Sequence, residues 1–65
     1  MAKKEEATSK VLAHVERARG ALDNFRTDAV DAGGVLPRPR FQIAELKVAR
    51  EELEKAIGII ERTRW

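Results

Sequence analysis

The chain has no cysteine and no tyrosine, and only two phenylalanines, one tryptophan, one histidine and two prolines among its 65 residues. Each scarcity excludes something. Without cysteine there is neither a disulfide framework nor a thiolate metal site. The single histidine, His14, leaves no His pair for zinc, and carboxylates alone make a poor zinc site, so no metal and no cofactor is expected. Charged residues, at 37%, interrupt every stretch that could approach the roughly 18 consecutive apolar residues of a membrane span. No basic segment followed by an apolar run opens the sequence, so the expectation is a soluble, cytoplasmic protein with no membrane partner. Length limits the chain to one small domain over residues 1–65, and so few large apolar residues make a self-sufficient core doubtful.

Neither sign of charge dominates. Thirteen Lys and Arg face 11 Asp and Glu, for a net charge of +2. The sequence pI of about 9.4 reflects a small surplus over nearly balanced groups and implies no strong field. Any electrostatic role must come from where the charges sit.

What the chain does have is helix-forming composition in two blocks. Met1 to Glu6 are mostly polar and should fray. Helix 1 is expected over about residues 7–32, a stretch rich in Ala, Arg, Glu and Leu, with Thr8 and Ser9 as helix-start residues. There Thr8, Val11, Val15, Ala18, Leu22, Phe25, Ala29 and Ala32 recur at alternating spacings of three and four, the period of a coiled-coil seam. Gly33-Gly34 supplies the left-handed backbone that ends a helix. Residues 33–38 form the connection, with Arg38 held out of the α region by the proline that follows it. Pro39 suits the first turn of helix 2, expected over about 39–64, where Leu46, Ala49, Leu53, Ala56 and Ile60 continue the alternation. A short connection sets consecutive helices antiparallel, so the fold class is all-α, an antiparallel two-helix hairpin.

Folding the chain between Val35 and Leu36 pairs Val11 with Ile60, Val15 with Ala56, Ala18 with Leu53, Leu22 with Ala49 and Phe25 with Leu46. Three of these layers set a small residue against a larger one, as close packing asks. One flank of this arrangement gathers Leu12, Arg19 and Arg26 with Ile43, Arg50 and Ile57. The other gathers His14, Ala21 and Asp28 with Glu45, Glu52 and Ile59. Aliphatics around three arginines on one side and three carboxylates on the other predict a second copy, apolar on apolar and acid on base. The expected oligomer is a homodimeric four-helix bundle whose interface is Leu12, Arg19, Arg26, Ile43, Arg50 and Ile57.

Catalysis finds little footing. Glu51, Glu52 and Glu54 point in different directions on a helix, and Glu51 with Lys55 reads as a surface pair. His14 has no nucleophile at triad spacing. Gly33-Gly34 closes a helix instead of opening one, so there is no phosphate loop. No enzyme and no small-molecule substrate is expected. The most suggestive charges are the three flank arginines and the open end of the hairpin, where Lys3, Lys4 and Lys10 lie near Arg62, Arg64 and Trp65. Cations beside an aromatic suit nucleic acid, although cations late in a helix also complement its dipole.

In outline, with Ala18 against Leu53 and Leu22 against Ala49, the layout resembles the Rop family of small plasmid-encoded proteins. The resemblance spans the chain, contains no shared motif, and implies hairpins that dimerise into a four-helix bundle. The chain is also similar in length and loop position to the small two-helix protein of the large ribosomal subunit, from which its 11 acids set it apart. The function expected is that of a small oligomeric interaction protein (an adaptor, inhibitor or regulator) working through protein contacts. The alternative is an RNA- or DNA-binding regulator using the arginine flank or the basic, Trp-containing end.

Overall fold

The computed structural model describes residues 2–65 as two helices, α1 over Ala2–Asp31 and α2 over Pro39–Arg62, packed side by side into a rod with Cα extents of 48 × 16 × 11 Å. Met1, expected to fray with its neighbours, lies outside the described residues. Helix α1 begins before Ala7. Lys3 to Ala7 are good helix formers, and Glu6 and Lys10 face each other one turn apart at 3.7 Å. Thr8 is therefore inside the helix, its hydroxyl donating to the Lys4 carbonyl at 2.8 Å and capping nothing.

The end of α1 is a Schellman turn. The N–H of Gly34 donates to the Ala29 carbonyl at 2.8 Å and that of Gly33 to Val30 at 3.0 Å, with both glycines at positive φ, +79° and +88°. That geometry satisfies carbonyls a helix end leaves open, and glycine enters it without a Cβ penalty. Helix α2 starts with Pro39 at its first position and Arg38 as N-cap. No side chain of Arg38 caps the helix; instead the Arg38 N–H donates to Oε1 of Gln42 at 3.2 Å. At the far end α2 stops at Arg62, with Thr63 extended. The Thr63 hydroxyl donates to the Ile59 carbonyl at 2.6 Å and the Trp65 indole N–H to Ile60 at 3.0 Å.

Packing departs from the seam expected above. The closest contact line runs through positions 7, 11, 14, 18, 21, 25 and 28 of α1 and 42, 45, 49, 52, 56 and 59 of α2, continued by Thr63 just past its end, every one buried or half-buried. This is a strict heptad, with 11, 18, 25 and 42, 49, 56 as a positions and 14, 21, 28 and 45, 52, 59 as d positions. Its buried members are Ala7, Ala18, Ala49, Ala56 and Gln42. Val15, Leu22, Leu46, Leu53 and Ile60, read as seam residues from spacing, are exposed. They occupy e positions, so each apolar stripe is turned about 50° from the helix partner. The physical reason is size: alanines let two helices approach closely, and a helix pair alone has no interior deep enough for leucine.

The register differs as well. His14 lies against Glu52 and Asp28 against Arg38, both pairs equidistant in sequence from Gly33, not from the Val35–Leu36 bond. That register sets Val11 level with Lys55 and Ala56 instead of Ile60. The small-against-large layers, Ala18 with Leu53 and Leu22 with Ala49, are therefore not formed.

Candidate interaction surfaces

Because the helices run antiparallel, their e positions emerge on the same side of the rod. Val15, Leu22, Leu46, Leu53 and Ile60 form the inner rows of this face, and the neighbouring b positions Leu12, Ile43 and Ile57 its outer rows. These eight side chains are between 38% and 56% exposed. Arg19, Arg26 and Arg50 share the outer rows. Arg19 Nε is 3.9 Å from Asp23 and Arg50 Nε 4.0 Å from Glu54, each pair within its own helix. The six residues expected as an oligomer interface thus lie on one face, but as its margin. The centre is made by e-position residues that sequence reasoning had assigned to the hairpin's own core.

The expected acidic flank does not exist as a surface. His14, Ala21, Asp28, Glu45, Glu52 and Ile59 are d residues inside the seam. His14 Nδ1 donates to Glu52 Oε2 at 2.6 Å; both side chains are less than one-fifth exposed. Arg17 at 4.0 Å and Lys55 at 3.9 Å complete the surroundings of Glu52. The hydrogen bond from His14, and then these cations, hold the Glu52 carboxyl below its ordinary value of 4.5 against the opposing pull of desolvation. Two polar atoms of the seam, Gln42 Nε2 and Glu45 Oε1, are buried without a partner. These carboxylates are not free to meet the arginines of a second copy. The polar d positions were missed because histidine and glutamate were placed outside a coiled-coil seam; the recurrence of Ala7, His14, Ala21 and Asp28 every seven residues was the available signal.

The open end of the rod carries a groove of about 560 Å³ lined by Lys3, Glu6, Ala7, Lys10, Ile59, Arg62, Thr63 and Arg64. The helix pairing therefore brings together four of the six residues expected at a basic end. Lys4 lies beside a separate shallow hollow with Thr8 and Leu12, and Trp65, which follows Arg64 in the chain, is half-exposed and not among the residues lining the groove. At the loop end the Arg38 guanidinium stacks on the Phe41 ring, 4.5 Å from its centroid, and reaches Asp28 at 3.9 Å.

Among the described residues no group of three His, Asp or Glu side chains could hold a metal ion. None of their helices is long and apolar enough to cross a membrane. The chain matches no known family model, no curated protein and no solved structure.

Proposed function

We propose that this protein works by binding, without catalysis, and that its first partner is a second copy of itself, two hairpins closing face to face into a homodimeric four-helix bundle. One observation carries this reading: eight large aliphatic side chains stand exposed on one face while mostly alanine and polar residues fill the seam. Together they present on the order of 600 Å² of apolar surface, more than a small monomer ordinarily leaves in water. With the arginine stems added, this approaches the roughly 800 Å² per partner of a stable interface. A core-facing bundle helix uses three positions per heptad, a, d and e. Here a and d serve the hairpin, and e is left for the neighbouring hairpin. Asp23 and Glu54, beside Arg19 and Arg50, keep the cationic margins of two copies from repelling. Other proteins are then met by the outer helix faces of the bundle, as an adaptor or inhibitor would meet them.

Sedimentation equilibrium tests the reading. The expected mass is twice 7.3 kDa, falling to the single-chain mass in Leu22→Glu plus Leu53→Glu, with circular dichroism checking that the variant stays helical. A parent chain that sediments as a monomer at about 100 μM, a concentration above any useful affinity for such an interface, overturns it.

A further inference from the structure

We propose that the open end of the hairpin binds single-stranded nucleic acid, phosphates lying in the groove between Lys3, Lys10, Arg62 and Arg64 and a base stacking on Trp65. This inference does not rest on dimerisation. The cations sort into two kinds. Arg17, Arg19, Arg38, Arg50 and Lys55 each have a carboxylate within 4.0 Å. Among the described residues Lys3, Lys4, Arg26, Arg40, Lys47, Arg62 and Arg64 have none at that distance, and of these Lys3, Arg62 and Arg64 converge on one groove. Lys10 joins them, shared with Glu6 at 3.7 Å. The flank arginines, by contrast, are spread along an apolar face, so the sequence's two basic candidates separate and the end is favoured.

The backbone at this end is also prepared. A helix C-terminus normally points bare carbonyls outward and repels anions. Here the Thr63 hydroxyl and the Trp65 indole N–H cover the carbonyls of Ile59 and Ile60. The second bond also anchors the indole, which remains 54% exposed. Gly58 leaves room for Arg62: a Cβ there would sit 3.1 Å from its guanidinium. A cationic groove beside an aromatic ring is how proteins hold single strands without reading sequence. Glu5, Glu6 and Glu61 temper the field, so binding should be modest and strongly dependent on salt.

Trp65 is the only tryptophan and reports on its own site. The probe is a labelled oligouridylate of about 12 nucleotides, a length within known single-strand site sizes, followed by anisotropy and by Trp65 fluorescence. The expected result is binding with indole quenching, weakening by roughly 50-fold between about 50 and 200 mM salt if four phosphates are contacted. Arg62→Ala plus Arg64→Ala should bind more weakly at the lower salt, and its affinity should fall only roughly 7-fold over the same salt range, because two contacts remain. Trp65→Ala should lose roughly 5- to 150-fold, the range for one stacked base. Lys47→Ala, far from the groove, should bind as the parent does, and circular dichroism should show every variant helical. No anisotropy change at about 50 mM salt would overturn the proposal. So would equal affinity in the helical double-arginine variant, or quenching by anionic phospholipid vesicles where the oligouridylate gives none.

Discussion

His14 Nδ1 and Glu52 Oε2 stand 2.6 Å apart across the middle of the hairpin, 38 residues apart in sequence. A carboxylate only accepts, so the proton of this bond is on the His14 ring. The pair sits in a seam whose buried apolar residues are alanines, where sliding one helix past the other by a turn would cost little packing. A single polar contact at a core heptad position penalises such slips, because each would strand a buried carboxylate. The pair therefore specifies alignment more than it adds stability.

The pH dependence follows from Glu52, faced by His14 and Arg17 from α1 and by Lys55 from α2. Its carboxyl is held below the ordinary 4.5 in the folded chain, so the unfolded chain binds the proton more readily. Stability from this group is complete above that value and drains away as the pH falls through the lower, folded value. In His14→Leu the Glu52 titration, followed by carboxyl carbon chemical shift, should move up, and acid unfolding should begin at higher pH than in the parent. An unchanged Glu52 titration would show that the hydrogen bond is not what lowers it.

Two helices and the break between them could be read from the chain because their signals are local. Gly33-Gly34 and Pro39 act through their own φ angles, whatever the rest of the molecule does. The seam could not be read in the same way. Periodicity finds an apolar stripe but does not say what faces it, and spacing alone turns Val15, Leu22, Leu46 and Leu53 toward the hairpin's other helix, leaving only the flanks for a second copy. The buried positions of Gln42 and Glu52 were invisible for a related reason: polar residues in a seam are explained by partners, and partners depend on the register. At the open end, residue type alone placed Lys3, Lys10, Arg62 and Arg64 together, since the ends of an antiparallel hairpin meet in any register.

Glycine substitutions should separate backbone demand from space. Nothing lies within 4 Å of a Cβ added at Gly20 or Gly34, but Gly34 has a φ of +88°. Gly34→Ala should therefore destabilise by about 1–2 kcal/mol, the cost of a Cβ in left-handed backbone. Gly20→Ala, in the interior of α1, should stabilise by about 0.5–1 kcal/mol. Urea unfolding followed by circular dichroism at 222 nm, the helix band, checks both. Opposite signs are required, and equal effects would mean the Schellman turn is not formed.

Gln42 offers a sharper test of the buried polar layer. Its side chain is fully buried; Oε1 accepts from the Arg38 N–H while Nε2 has no partner. Gln42→Leu removes one helix-start bond worth about 1 kcal/mol but also an unpartnered donor whose burial costs about 1–3 kcal/mol. The variant should be at least as stable as the parent. Gln42→Glu keeps the acceptor but brings a second carboxylate near Glu45, and should be less stable at neutral pH and recover as the pH is lowered. A marked loss of stability in Gln42→Leu would show that the helix-start bond outweighs the orphaned amide.

The last prediction tells the two seams apart. Ala18 is 2% exposed and Leu22 42%, one turn apart on the same helix. Ala18→Leu forces bulk between two closely packed helices and should cost about 1–3 kcal/mol through strain. That loss should be the same at every protein concentration, because it falls within one hairpin. Leu22→Ala leaves the hairpin seam untouched and removes a side chain from the outer face, so its effect should appear as a lower Tm only where chains associate. Melting both variants over a hundredfold range of concentration makes the comparison. The parent Tm should rise with concentration, as linkage to association requires, and Leu22→Ala should flatten that rise while Ala18→Leu lowers the whole curve. If the two patterns were exchanged, leucine would fill the hairpin seam and alanine the outer face.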